Sequence, residues 1–192
     1  RGLFTLCVTY YLIYKNKVYI WGRNKKKLIS RGLSGTFALF FVYESIQRIT
    51  LSEATVIQYL YPIFTALFAS FLISEKIGGL LYFSITSGLV GVYIILDFPF
   101  LISNAISETN MMIALSGAIL TGLSYVMVRK AVTLKESPYV IMFYFPLFTV
   151  PMSLFFLPGN WEMPTMLIWV YLVLVGITSQ LGQLFLTYGY EL

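Results

Sequence analysis

The chain has no histidine, one cysteine and little charge. Without histidine there can be no Ser–His nucleophile pair, no histidine metal site and no histidine-ligated haem. Cys7 alone supports neither an internal disulfide framework nor a cysteine-rich metal site. Charged residues are 11% of the chain, against about 25% in an ordinary soluble domain. Hydrophobic residues are 58%, and the mean hydropathy is +0.81. This balance belongs to a membrane protein. The apolar run from Arg1 to Tyr14 lacks a basic leader and a small-residue cleavage site, so it does not read as a signal peptide. It is also shorter than the roughly 17–25 residues of a full span. It reads as the remainder of a helix that starts before the sequence does.

What is present is a series of apolar segments, at 1–14, 33–49, 54–74, 79–96, 111–128, 139–157 and 166–190. Most can cross a hydrocarbon core of about 30 Å at about 1.5 Å per residue. The prediction is an all-α integral membrane fold of about seven transmembrane helices in a single domain over 1–192. The breaks are charged or turn-rich: 15–31, 50–53, 75–79, 97–110, 129–138 and 158–164. Thr50, Ser52 and Glu53 supply helix N-cap chemistry in the second of these.

The basic residues give a direction. Seven of them lie in 15–31, Lys76 lies in 75–78, and Arg129, Lys130 and Lys135 lie in 129–138. Only Arg1 and Arg48 fall near the opposite side, and the loops 97–110 and 158–164 hold no Lys or Arg. By the positive-inside rule, 15–31, 75–78 and 129–138 are cytoplasmic. The net charge of +5 is therefore a topology signal, and no nucleic-acid partner is expected. Trp21, Trp161 and Trp169 stand near segment ends, as interfacial anchors do.

Ionisable and amide side chains are costly in a membrane and mark pathways. Glu44 lies about 20 Å along the second segment from Arg31, and Arg48 is four residues further. Either the two form an ion pair at the outer interface, or Glu44 couples protons or meets a cationic substrate group. The segment 54–74 carries no charge, yet its first half holds Thr55, Gln58, Tyr59, Tyr61 and Pro62. Pro62 removes one backbone donor and frees the Gln58 carbonyl, which either kinks the helix for packing or lines a cavity. Thr55, Gln58 and Pro62 share a face, Tyr59 lies beside it, and Tyr61 is expected to point elsewhere. On 166–190, Gln180, Gln183 and Thr187 form a stripe that must face protein or a cavity. Thr121, Ser124 and Tyr125 group on 111–128. Gly117, Ala118, Gly122, Gly88 and Gly91 read as close helix packing, and Pro146 and Pro151 as bends in 139–157.

Gly35–Tyr43 and Gln180–Tyr188 share Leu-Phe and a following Tyr at an offset of 145 residues. The charge pattern runs the two segments in opposite directions, as an inverted repeat requires. Several motifs then resemble the EamA-type transporters of the drug/metabolite transporter superfamily. They are Arg31-Gly32-Leu33 through Tyr43, Leu51-Ser52-Glu53-Ala54-Thr55, Tyr61-Pro62-Ile63-Phe64-Thr65-Ala66, Ser74-Glu75-Lys76, Gly88 through Val92, and Asp97 through Leu101. The resemblance is strongest over 31–101 and looser over 111–192, where Gly176 to Tyr188 looks like the family's eighth helix. It implies a carrier of ten helices in two inverted five-helix repeats, of which 1–101 and 111–192 would be parts. The segments would then be helices two to eight, with the terminal helices outside this sequence.

The resemblance also implies a central cavity lined by 33–49, 54–74 and 166–190. The expected function is secondary transport of small organic metabolites by alternating access. Gln58, Tyr59, Gln180 and Gln183 would orient the substrate beside the Pro62 break. Tyr43, Tyr125 and Tyr188 would form aromatic walls for amino acids, nucleoside-like molecules or organic cations. Glu44 would be the proton-coupling candidate. No enzyme activity, cofactor or metal is expected. The partners would be the lipid bilayer and a small molecule, the protein a monomer or homodimer, and its place a bacterial inner membrane. A passive channel and a structural, non-transporting membrane protein are the alternatives.

Overall fold

A computed structural model describes residues 2–73, 78–95, 107–156 and 163–190. Among these residues eight helical segments follow one another: α1 (Gly2–Lys15), α2 (Lys25–Arg48), α3 (Leu51–Gln58), α4 (Tyr61–Ile73), α5 (Gly79–Ile95), α6 (Glu108–Thr133), α7 (Pro138–Phe156) and α8 (Met166–Gly189). No strand occurs among the described residues. Four stretches there are long and apolar enough to cross a membrane: Leu51–Ile73, Glu108–Thr133, Pro138–Phe156 and Met166–Gly189. Tyr82–Ile95 is a shorter apolar helix. The all-α, multi-pass membrane architecture is thus present. Glu75, Lys76, Trp161 and the Asp97–Leu101 motif lie outside the described residues.

Three boundaries differ from the sequence reading. Lys25, Lys26, Lys27 and Arg31 are helical, because α2 begins at Lys25 rather than near residue 33. The segment 15–31 therefore shrinks to a connector of 16–24, and 129–138 shrinks to 134–137 because α6 runs on to Thr133. The third difference is in 54–74, which is two helices. Turn residues Tyr59 and Leu60 separate α3 from α4. Pro62 has no N–H to return to the Gln58 carbonyl, so the α-helical ladder breaks there instead of merely bending.

The helix ends are locally encoded. Thr50 caps α3: the Glu53 N–H donates to Thr50 Oγ1 and the Thr50 N–H to Glu53 Oε2, completing a capping box. After α1 and α6, Lys17 and Lys135 take left-handed backbone (φ 52° and 56°). The next N–H groups, of Val18 and Glu136, then bond to carbonyls five residues back, at Ile13 and Ala131. This is the Schellman way of satisfying terminal carbonyls, here without glycine.

Contacts divide the chain into two compact units, Phe37–Val126 and the pair of segments Arg1–Thr36 and Met127–Leu192. The split unit is built on α7, whose first half is buried at Pro138 and from Val140 to Pro146. α1 packs on it through the stripe Thr5, Thr9 and Ile13, spaced by four. α8 packs against both α1 and α7. Ile13, Leu28, Val128, Ala131, Val140, Ile141, Phe143 and Tyr144 form its core. α2 approaches α7 through Gly32, where a Cβ would meet the Tyr144 carbonyl oxygen at 2.7 Å. Thr36 and Thr149 continue that seam with a buried hydroxyl–hydroxyl bond of 2.9 Å.

The continuous unit has its core at Ile57, Leu60, Ala114 and Ala118. Gly122 lets the backbone at Phe64 and Thr65 come close: a Cβ there would lie 2.9 Å from the Thr65 nitrogen. Gly117 is similarly tight against Val42. Gly91 has nothing within 4 Å of such a Cβ among the described residues, so its expected packing role is not seen.

Candidate functional site

The split unit holds an arginine inside its helix packing. Arg31 lies on α2 and is 2% exposed. It shares a helix face with Leu28, which is also buried, through a spacing of three. Gly32 beside it removes the side chain that would hold α7 away. The Arg31 guanidinium sits 5.2 Å from the centre of the Phe145 ring on α7, within cation–π range. Its Nη2 donates to Gln183 Oε1 on α8 at 3.1 Å. Arg31 was counted with the loop cations in the sequence reading. The charge pattern there was dominated by the adjacent lysines, and nothing local signals that α2 starts early enough to bury it.

The predicted amide stripe of α8 faces inward. Gly176, Gln180 and Thr187 are buried and Gln183 is partly so, at spacings of four, three and four. Gly176 fits under the Phe4 ring of α1. Gln180 is 5% exposed, and neither its Nε2 nor its Oε1 has a hydrogen-bond partner. The rest of α8 offers Leu167, Val170, Leu174, Leu181 and Phe185 outward, which suits lipid. Near its end, the Tyr188 hydroxyl donates to the Tyr139 hydroxyl at 2.7 Å.

The predicted residues of the continuous unit separate into two groups. Gln58 Nε2 donates to Thr121 Oγ1 at 2.9 Å, and Thr121 in turn donates to the Gly117 carbonyl. Tyr125 stacks edge-on with Tyr61, ring centres 5.1 Å apart. Tyr61 was expected to point elsewhere. The break at Tyr59–Leu60 changes the helical phase and turns it inward, while Tyr59 is left 68% exposed. Tyr43 is also exposed. Glu44 and Arg48 form the i,i+4 ion pair, 2.6 Å apart, with both side chains nearly half exposed.

A further residue was missed altogether. Glu136, in the connector 134–137, is 5% exposed. Its carboxylate accepts from the backbone N–H groups of Arg23 and Asn24 and from Asn24 Nδ2. It thus holds the start of α2, where negative charge also suits the helix dipole. Gly22 makes room for it: a Cβ there would come within 2.8 Å of Glu136 Oε2. The Trp21 carbonyl nearby accepts from the Tyr144 hydroxyl. No group of three or more metal-ligating side chains occurs among the described residues.

Residues 2–97 match the EamA-like transporter family. The chain belongs to that family. Its relatives agree. An uncharacterized transporter of Helicobacter pylori is 32% identical over 97% of this chain and 65% of its own length. Solute carrier family 35 member G1 of Mus musculus is 28% identical over 92% of this chain and 51% of its own. The pseudopaline exporter CntI of Pseudomonas aeruginosa is 25% identical over the whole chain and 66% of its own length. The chain thus spans about half to two thirds of the relatives it matches. No solved structure matches it significantly.

Proposed function

We propose that this EamA-family chain is part of a secondary transporter that moves small organic metabolites across a membrane by alternating access. The observation that carries the reading is the broken span Leu51–Ile73. Irregular backbone at membrane depth is tolerated where it is covered by protein or lines a water-filled cavity. Discontinuous helices are a recurrent substrate-site device in carriers. Here the break leaves the Gln58 carbonyl without its α-helical donor. It also sets the Gln58 amide on Thr121 and Tyr61 on Tyr125. These four side chains offer a polar edge and an aromatic wall beside one another.

Movement has its own sequence basis. Pro146 and Pro151 lie inside α7, and each removes a ladder hydrogen bond at which a helix can flex. The positive-inside pattern places the ends of α1, α6 and α8 and the start of α2 at the cytoplasmic face. Arg31 and Gln183 each lie six residues from such an end, about 9 Å inward. Their hydrogen bond accords with α2 and α8 crossing in opposite directions, as an inverted repeat needs.

The test is uptake of labelled metabolites by sealed vesicles holding the protein. Saturable uptake that unlabelled substrate competes away is expected, with Gln58→Ala reducing it while the protein remains inserted. Flux that rises linearly without saturation would identify a passive channel instead.

A further inference from the structure

We infer that the notch between the end of α1 and the connector 16–24 binds an anionic phospholipid of the cytoplasmic leaflet. The inference goes beyond the carrier reading and stands on the split unit alone.

The end of α1 carries a stripe. Tyr10, Ile13, Tyr14 and Lys17 recur at spacings of three, four and three, so they share one side of the helix end. The chain then doubles back. The Val18 N–H donates to the Ile13 carbonyl at 3.1 Å, which folds the connector against the stripe. A cavity of about 430 Å³ lies between them, lined by the stripe and by Val18, Tyr19 and Ile20. Small-molecule sites are roughly 300–1,000 Å³. Its floor is fixed, because Ile13 belongs to the buried core and Val18 and Ile20 pack against that core. Its walls are open: Tyr10, Tyr14 and Tyr19 are each more than half exposed. The notch therefore keeps its shape without an occupant.

Polarity along the notch has a direction. Lys17 stands just past the end of α1, which the positive-inside pattern places at the cytoplasmic face. Tyr10 lies five residues before that end, about 7.5 Å inward. A cation thus sits on the water side, with amphipathic rings and an isoleucine deeper. A phospholipid has the matching order, with phosphate at the surface and acyl chain inward. Tyrosine rings also suit the headgroup level.

Charge selects the headgroup. Among the described residues Lys17 has no carboxylate partner. No Asp or Glu precedes Glu44 in the chain. Glu136, the carboxylate folded against this connector, is engaged by the Arg23 and Asn24 N–H groups. Lys15, two residues before Lys17, is a further exposed cation. A lysine ammonium donates charge-assisted hydrogen bonds to phosphate oxygens, whereas a choline headgroup would bring a second cation beside it. The cytoplasmic leaflet supplies anionic lipids, and basic pockets at that level take their headgroups.

The experiment is thermal unfolding of the intact protein in a neutral detergent. The added probes are dioctanoyl phosphatidylglycerol, dioctanoyl phosphatidylcholine, glycerol phosphate and inorganic phosphate. Phosphatidylglycerol is expected to raise the midpoint saturably, by about 3 °C, and the other three much less. Lys17→Gly is the informative variant. Lys17 has left-handed backbone (φ 52°), which glycine adopts without steric cost. The variant is therefore expected to unfold at an equal or higher temperature without lipid, yet to bind phosphatidylglycerol about tenfold more weakly. Lys135→Gly is its matched control. Lys135 has the same kind of backbone (φ 56°) at the end of α6 and does not line the notch. It is expected to respond to lipid as the parent does. Tyr14→Ala, which removes one wall, is expected to weaken binding severalfold.

The inference is overturned if phosphatidylcholine stabilises equally well, or if Lys17→Gly responds as the parent does. It is overturned too if glycerol phosphate or inorganic phosphate suffices, since the site would then serve a soluble anion. An equal loss in Lys135→Gly would assign the effect to diffuse surface charge and sink the notch.

Discussion

The two compact units treat charge in opposite ways. In the split unit, Arg31 and Glu136 are buried, and each is held by residues more than a hundred positions away. In the continuous unit, Glu44, Arg48 and Glu53 bond within one helical turn and keep contact with solvent. Its part-buried polar link, Gln58 to Thr121, is neutral. A local pair needs only the helix it sits on. A buried charge needs distant partners in place before its desolvation is offset. The split unit's polar groups are therefore tied to its tertiary packing, and those of the continuous unit mostly are not.

Breaking the most dependent charge gives the largest expected effect. Glu136→Leu strands the Arg23 and Asn24 donors at the start of α2 and is expected to cost about 3 kcal/mol. Equilibrium denaturation in mild detergent measures it; a loss below about 1 kcal/mol would mean that water replaces the carboxylate freely. Next come the glycine seams, which test whether both units are packed equally tightly. Gly32→Ala and Gly122→Ala each set a methyl against backbone, so about 1–3 kcal/mol is expected from either. Should one be neutral, that unit's helices separate more easily than its seam implies.

Smaller effects belong to the continuous unit. Thr121→Val removes the acceptor of Gln58 and is expected to cost about 1 kcal/mol, read in the same denaturation assay. Glu44→Gln sits at the bottom of the scale. An exposed i,i+4 pair contributes about 0.3–0.5 kcal/mol, so its unfolding midpoint is expected to be nearly that of the parent. A large loss there would erase the contrast between the units. Unchanged stability with transport abolished would instead restore Glu44 as a coupling carboxylate.

Much of the architecture was legible because apolar length and turn chemistry are local properties. The capping box at Thr50 and the end of α3–α4 near residue 73 need only neighbours in sequence. The inward stripe Gln180–Gln183–Thr187 followed from helical spacing alone. The site was legible in part. Gln58, Tyr61, Thr121 and Tyr125 are all named from the sequence, but the pairing of Gln58 with Thr121 and of Tyr61 with Tyr125 follows from the break before Pro62, whose extent depends on how the two half-helices pack. Arg31 was hidden among topology-setting cations, since burial is not a property of residue type. Glu136 stood in a charged connector like any solvated carboxylate, and its role appears only when the start of α2 is folded against it.

By itself the sequence determined the membrane class, the all-α fold and the family. It also supplied the charge asymmetry and the polar faces of α3, α6 and α8. These follow from hydropathy, spacing and motif, which act over a few turns of chain. Only the tertiary structure decided which polar groups are enclosed: Arg31 under Phe145 and against Gln183, Gln180 with both amide atoms unmet, and Glu136 beneath Gly22. The physical reason is that the free energy of a charge or an amide depends on what surrounds it, and residues far along the chain supply those surroundings.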